Sequence, residues 1–230
     1  MIWKALLAVW LTVVTVLALG LPMVPEPTHW YEFPLVPLLE EKGRILFFHV
    51  PTAWLSVVGF LTSMVYGIRY LRGRAMDDDI RSSAAAGVGL GFCLLATVTG
   101  AVWARFTWGE FWNWDPRQTS IFFLLLVYGA YFALRSAVEG EEKRAVLAAA
   151  YSVMAAITMP FFMFILPRTL PGLHPQTLSD KGIQMNPTML AVLLASLAGF
   201  TGLGAWMWGL RVRVQEIALR DASLHHRSAL

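Results

Sequence analysis

Charged side chains are scarce in this sequence, and their scarcity excludes a soluble globular protein. Asp, Glu, Lys and Arg make up only 14% of the residues, whereas hydrophobic residues make up 57%. Soluble domains carry about 25% charged residues, so this chain has too little polar surface to cover a core in water. The formal net charge is only +3, and the basic residues form no cluster of the kind that binds nucleic acid. The composition therefore predicts an integral membrane protein that contacts the lipid bilayer and no nucleic acid.

Cysteine is almost absent from the chain. Cys93 is the single cysteine, so no internal disulfide can form and no Cys-x-x-Cys-His motif is available to attach haem covalently. The chain is therefore not itself a c-type cytochrome. The sequence also lacks a glycine-rich nucleotide-binding loop, so any ATP hydrolysis would belong to a partner. Cys93 lies inside an apolar run and is interpreted as a small core residue.

Long apolar runs are what the sequence does contain, and six of them can cross a bilayer as helices. Each is near or above the roughly 20 residues that span about 30 Å of hydrocarbon. None alternates apolar and polar residues as a barrel strand would. The prediction is an all-α integral membrane protein with six transmembrane helices, forming one polytopic domain over residues 1–230. The predicted spans are roughly 3–21, 46–70, 84–104, 118–136, 145–166 and 188–210.

The Lys and Arg residues predict the orientation of these spans. Twelve of the 18 lie on the side that holds both chain ends, and cytoplasmic segments collect such residues. Both termini are therefore predicted to be cytoplasmic, and the loops 22–45, 105–117 and 167–187 face outward. Residues 1–21 have the features of a cleaved signal peptide or of an uncleaved anchor, and their length favours the anchor. The six basic residues on the outward side are Lys42, Arg44, Arg105, Arg117, Arg168 and Lys181.

The second outward loop holds a short tryptophan-rich segment, which is predicted to lie in the membrane interface. Its sequence is Trp108-Gly109-Glu110-Phe111-Trp112-Asn113-Trp114-Asp115-Pro116-Arg117. So much flat aromatic surface favours a platform for a large planar ligand, and the alternative is an interfacial belt that binds no ligand. If residues 108–115 are helical, Trp108, Trp112 and Asp115 share one face. Asp115 also has the pattern of a helix N-cap, with Pro116 at the first helical position and Gln118 completing a capping box.

Two histidines are predicted to lie on the same side as this segment. His49 is at the outer end of the second span, with Pro51 expected in the first turn of that helix, and His174 lies in the last outward loop. Haem iron takes two axial ligands, and neutral imidazole is a good one. We therefore expect a non-covalently held b-type haem between the two imidazoles, the alternative being that each histidine is a hydrogen-bonded structural residue. The arginines expected to pair with the haem propionates are Arg105, Arg117 and Arg168.

These residues resemble a known family signature. The pattern Trp-Gly-x-x-Trp-x-Trp-Asp in an outward loop, followed by Arg117, Thr119 and Ser120, is similar to that of the haem exporter protein C family (CcmC) of cytochrome c maturation. This family belongs to a superfamily of tryptophan-rich haem-handling proteins with CcmF and CcsA. Three features depart from it. Phe111 stands where a further tryptophan is common, and Trp-Asp-Pro is more typical of the synthetase relatives. The segment before His174, Leu170-Pro171-Gly172-Leu173, lacks the tryptophans often found there.

The resemblance implies a function, a location and partners. Such proteins hold haem at the outer face of the plasma (inner) membrane and load it onto a membrane-tethered haem chaperone (CcmE). The implied complex also contains an ABC-type ATPase (CcmA), its membrane partner (CcmB) and a small single-span protein (CcmD). By motif, the axial-ligand role falls to His49 and His174. The haem-contact role falls to Trp108, Trp112, Trp114 and Asp115.

Three other functions remain open at the level of sequence. A cytochrome c synthetase or haem lyase component would join haem directly to apocytochrome, which Trp-Asp-Pro favours and the short outward loops disfavour. A b-type electron-transfer subunit usually holds histidines within its spans, whereas the span interiors here contain none. A purely structural subunit would bind no haem at all.

Overall fold

The described part of the chain is almost entirely helical. The computed structural model describes residues 2–36, 39–174, 178–179, 182–183 and 185–228. Lys181, which contributes to the predicted orientation, lies outside these residues. Within them, six helical segments are long and apolar enough to cross a membrane, so the predicted all-α, six-span architecture is confirmed.

The helices have the following bounds. The six spans are built from α1 (Ile2–Gly20), α2 (Leu46–Gly73), α3 (Met76–Trp108), α4 (Pro116–Ala137), α5 (Glu141–Pro160) and α7 (Pro187–Ser228). The fifth span continues from α5 through a π-helical turn (Phe161–Ile165) into the short α6 (Leu166–Thr169). Since the number of spans is even, the start of α1 and the end of α7 lie on the same side of the bundle.

The connections contain little regular structure. β1 (Met23–Val24) pairs in parallel with β2 (Phe33–Pro34), and β3 (Leu178–Ser179) pairs antiparallel with β4 (Gly182–Ile183). A 3₁₀ helix (Glu40–Ile45) leads directly into α2. These short pieces lie between α1 and α2 and between α6 and α7, so they flank the end of the bundle at which α3 meets α4.

α3 and α7 extend well beyond their apolar runs. Charge explains the extension of α3 at its N-terminal end. α3 begins at Met76, with Asp77, Asp78 and Asp79 in its first turn, where carboxylates complement the positive end of the helix dipole. Asp79 accepts two hydrogen bonds from the Arg135 guanidinium, at 2.6 and 2.8 Å. Because the helix dipole and Arg135 of α4 stabilise these carboxylates, α3 continues through a polar segment that hydropathy assigns to a loop.

α2 and α3 pack closely against each other in the core. A Cβ atom added at Gly59 would lie 2.7 Å from the Cα atom of Gly89 and 3.0 Å from the carbonyl oxygen of Ala85. One turn further along, the Ser63 and Ser82 hydroxyls are 3.1 Å apart, and Ser82 donates to the Ser63 carbonyl at 2.8 Å. Small residues thus let α2 and α3 pack so closely that a serine hydroxyl of one helix reaches the backbone of the other, as is usual for helices packed in a bilayer.

We expect Gly59→Ala to destabilise the protein by about 1–3 kcal/mol, because the added methyl group meets backbone atoms that no rotamer change can move. Thermal unfolding of the purified protein in detergent measures this effect. Gly91→Ala is the matched control, since it lies on the same helix pair and a Cβ atom there meets nothing within 4 Å. Equal melting temperatures for the two variants would contradict the close α2–α3 contact.

Pro51 lies inside α2 and not in its first turn, which corrects the sequence prediction. Because proline has no N–H, the carbonyl of Phe47 loses its helical donor. The Ser196 hydroxyl of α7 donates to that carbonyl instead. This hydrogen bond attaches α7 to α2 two residues before His49. It therefore stabilises the helical turn that contains this histidine.

Candidate functional site

The tryptophan-rich segment is mostly not helical. α3 ends at Trp108, Gly109 adopts the left-handed conformation at φ 89°, and α4 begins only at Pro116. The prediction that Trp108, Trp112 and Asp115 share one helical face is therefore wrong. The chain leaves the helix because glycine readily adopts a positive φ at a helix C-terminus. The segment 109–115 thus forms an extended connection across the end of the bundle.

Side chains of α4 hold this connection in place. The Gln118 side chain accepts from the Asn113 N–H at 3.0 Å and donates to the Phe111 carbonyl at 3.2 Å. The Thr119 hydroxyl donates to the Trp114 carbonyl at 3.0 Å. These contacts maintain Trp114 at a φ of 60°, which is unfavourable for a bulky side chain. The indole of Trp114 is 65% exposed as a result, so the fold holds a strained backbone and presents this ring outward.

Asp115 caps α4, as the sequence predicts. One carboxylate oxygen accepts from the Arg117 N–H at 2.9 Å, and Pro116 takes the first helical position. The predicted capping box does not close, however, because the Asn113 side chain occupies the Asp115 N–H at 3.2 Å and Gln118 bonds elsewhere. The predicted cap is confirmed and the predicted box is wrong.

The second carboxylate oxygen of Asp115 reaches a different loop. It accepts from the Leu173 N–H at 2.7 Å, and the Asp115 side chain is only 5% exposed. A Cβ atom added at Gly172 would lie 2.8 Å from this oxygen, so only glycine permits the approach. The two segments line an open groove of about 390 Å³, formed by Asn113, Trp114, Asp115, Pro116, Pro171, Gly172 and Leu173.

His174 comes directly after Leu173 and packs on tryptophan rings of α3. Its ring centroid lies 5.8 Å from that of Trp103 and 6.4 Å from that of Trp108, and the two indoles contact each other edge-to-face at 5.1 Å. Trp103 is 8% exposed. Sequence reasoning missed Trp103 as a site residue, because it lies inside an apolar run. Its spacing of five residues before Trp108 is the one signal that could have indicated it.

His49 lies against the same helix. Its Nδ1 atom is 3.0 Å from the Thr99 hydroxyl oxygen, and its Cε1 atom is 2.9 Å from the position of a Cβ atom at Gly100. The Thr99 hydroxyl also lies 2.8 Å from the Leu95 carbonyl. When it donates there, its oxygen accepts from Nδ1–H of His49, and the lone pair of the ring is then on Nε2, the nitrogen that can bind a metal.

Both histidines pack against α3. His49 lies against Gly100, and the His174 ring packs on Trp103. Gly100, beside His49, and Trp103, beside His174, are three residues apart on α3 and thus on one face of it. This face of α3 is the surface that the two imidazoles share.

The three predicted arginines have different surroundings. Arg105 donates to the Gly109 carbonyl and lies 5.9 Å from the Phe111 ring centre, so it stabilises its own connection. Arg117 is half-buried, interacts with the Asp115 carboxylate and is repelled by Arg168. Arg117 and Arg168 therefore place two like charges close together, which an anionic group would stabilise.

The aromatic surface continues from the connection onto α4. Trp112 and Trp114 contact each other edge-to-face at 5.7 Å, and Phe122 lies 6.4 and 6.1 Å from them. Phe122 was not predicted as a site residue, since its position in a span gives no local signal. Edge-to-face clusters of this kind leave flat ring faces available for a further planar group. Fold and site together define a multi-pass helical membrane protein with an aromatic and imidazole site at one end of its bundle.

Comparison with known proteins identifies the family. The chain belongs to the heme exporter protein C (CcmC) family, whose family model matches residues 2–227, and the resemblance noted in the sequence is thereby confirmed. Heme exporter protein C of Rhodobacter capsulatus is 30% identical over 226 residues, which cover 96% of this chain and 91% of that protein. The Paracoccus denitrificans protein of the same name is 32% identical over 187 residues, covering 79% and 76%.

A third relative is matched over less of its length. Heme exporter protein C of Bradyrhizobium diazoefficiens is 34% identical over 158 residues, which cover 67% of this chain and 57% of that protein. The chain therefore matches little more than half of that relative.

Proposed function

We propose that this protein binds haem non-covalently at the outward end of its bundle and delivers it for cytochrome c maturation. The observation that carries the proposal is that His49 and His174 each pack against one face of α3, beside the tryptophan-rich connection. The family name, heme exporter protein C, supports the same cargo. ATP hydrolysis is assigned to a partner.

The residues present fit a haem. Two imidazoles on separate elements would supply a bis-imidazole ligand set, and haem iron would provide the metal between them. Indole and phenyl rings supply apolar area for the macrocycle, with each ring contact contributing roughly 0.5–1.5 kcal/mol beyond area burial. Arg117 and Arg168 supply positive charge for carboxylates. Propionates pairing with Arg117 and Arg168 would offset the repulsion between these two guanidinium groups. Arg105 is engaged with Gly109 and Phe111 and is the least available of the three.

Each part of the site then has a task. His49 is held on a helix by Thr99 and Gly100 and keeps Nε2 directed away from its hydrogen bond. His174 is on an outward segment, which Asp115 tethers through Leu173. The exposed Trp114 and Phe111 rings lie where a second protein can reach the ligand edge. We infer that delivery occurs from this open edge, while the half-buried His49 on α2 keeps the cargo positioned.

The same proposal includes location and partners. The site would face the outer side of the plasma (inner) membrane, as the Lys and Arg distribution predicts. The acceptor would be a membrane-tethered haem chaperone of the CcmE type. CcmA-, CcmB- and CcmD-like proteins would complete an ABC-type complex.

Trp114→Ala tests the delivery role. Trp114 is 65% exposed, so its loss should change stability by no more than about 0.5 kcal/mol. Purified protein is titrated with haem, and the loaded protein is then mixed with purified chaperone. We expect saturable haem absorbance in both proteins and slower transfer from the variant. Trp30→Ala, at a 78% exposed tryptophan, is the matched control.

Two outcomes would redirect the proposal. An absence of saturable haem absorbance in the parent protein would overturn haem binding itself. Covalent modification of a Cys-x-x-Cys-His peptide by the haem-loaded protein alone would favour the synthetase function instead.

A further inference from the structure

Two buried hydrogen-bond donors without partners lie beneath the candidate site. Within the part of the chain that the structure describes, neither the indole N–H of Trp103 nor the hydroxyl of Thr107 has a hydrogen-bond partner. Native proteins satisfy the large majority of buried polar side-chain atoms, so each exception calls for an explanation. An unpaired buried donor destabilises the folded protein, and a ligand that accepts its hydrogen bond would remove this cost.

The two donors share one face of α3 with the surface between the histidines. Trp103 and Thr107 are four residues apart in the helix, which places their side chains one above the other. Gly100, against which His49 packs, lies one turn before Trp103 on the same side. Gly100, Trp103 and Thr107 therefore form a strip about 10 Å long, which begins at His49, passes beneath His174 and ends at Thr107.

We propose that Trp103 Nε1 and Thr107 Oγ1 form a carboxylate subsite, which receives one propionate of the bound haem. This inference rests on the proposed haem-binding function and deepens it. The indole nitrogen can only donate, so the partner must be an acceptor. The periphery of a b-type haem carries methyl and vinyl groups, and its propionates are its only strong acceptors.

The two donors favour an acceptor that carries charge over a neutral one. A carboxylate at Trp103 and Thr107 would be hydrogen-bonded by both donors, which is the condition under which a charge can be buried, and charge-assisted hydrogen bonds are stronger than neutral ones. The His174 ring packs on Trp103, so a ligand held by His174 would lie beside this strip.

Two conservative substitutions test the subsite. Trp103→Phe keeps an aromatic ring and removes the N–H, and Thr107→Val keeps the shape and removes the hydroxyl. Each variant is titrated with haem and with haem dimethyl ester, whose propionates cannot carry charge. We expect each substitution to weaken haem binding by about tenfold. The affinity of each variant for the ester should differ from the affinity of the parent for the ester by less than about twofold, since the lost interaction is with the charged carboxylate.

Thr97→Val is the matched control, because the Thr97 hydroxyl of the same helix donates to the Cys93 carbonyl at 2.8 Å and lies outside the strip. This control should bind both ligands like the parent. A second readout needs no ligand. Thr107→Val should leave the melting temperature of the haem-free protein unchanged or raise it, because it removes an unpaired buried hydroxyl.

The outcomes separate this inference from the proposed function. A parent that binds no haem contradicts the function, whatever the variants do. A parent that binds haem, with variants that lose equal affinity for haem and for its ester, overturns the subsite and shows that Trp103 and Thr107 act only through packing. Full affinity in both variants overturns it as well.

Discussion

Replacing His49 or His174 by alanine is expected to weaken haem binding by at least about 100-fold. Loss of a partner that merely orients a metal-binding histidine costs about 10–100-fold in metal affinity, and these substitutions remove the ligand itself. Each variant should also change the haem absorbance from that of a six-coordinate, bis-imidazole iron to that of a five-coordinate one. Titration followed by absorbance spectroscopy measures both effects.

Two comparisons make this result specific. His29→Ala is the matched control, because His29 lies in the connection between α1 and α2, where its ring stacks on Tyr31 at 5.1 Å and bonds Glu32. It should bind haem like the parent protein. Free imidazole should restore the six-coordinate spectrum to the His49 and His174 variants. Unchanged spectra in both variants would show that neither histidine binds the iron.

The predicted spans and their order could be derived from sequence because the bilayer imposes a simple rule. Every backbone polar group within hydrocarbon must be bonded inside its own segment, so apolar length alone indicates helices. The ends of the helices follow other rules. α3 begins at Met76 because its first-turn carboxylates meet the helix dipole and Asp79 finds Arg135, and that pairing depends on residues 56 positions apart.

The site was only partly predictable for a similar reason. Residue type and the outward position indicated the tryptophan-rich segment, and Asp115-Pro116 indicated a helix cap. The contacts that assemble the site are made between distant elements: Ser196 with Phe47, His49 with Thr99, and Asp115 with Leu173.

The predicted capping box does not form, because other side chains occupy the groups that it needs. Gln118 has the right spacing for a capping box, but Asn113 bonds the Asp115 N–H, and Gln118 bonds the backbone of the connection. Trp103 was missed for a different reason. A tryptophan inside an apolar run suggests lipid contact, whereas here it is buried against His174.

Asp115→Asn is expected to release the segment after α6 that contains His174, while α4 stays capped. Asparagine is as good an N-cap as aspartate, so the bond from the Arg117 N–H persists. The second oxygen is replaced by an amide group, which puts a donor opposite the Leu173 N–H in a buried place. We expect a cost of about 1–3 kcal/mol. Haem affinity should fall with it, because His174 follows directly after Leu173.

Hydrogen–deuterium exchange of the backbone amides distinguishes this tether from a direct contact between Asp115 and haem. In Asp115→Asn the Leu173 amide should exchange faster and the Arg117 amide should stay protected, whereas Asp115→Ala should expose both. Asp77→Asn is the matched control, since Asp77 is an exposed carboxylate in the first turn of α3. If Asp115→Asn weakens haem binding and leaves exchange at Leu173 unchanged, Asp115 acts on the ligand directly. The hydrogen bond between the two outward segments would then not be what positions His174.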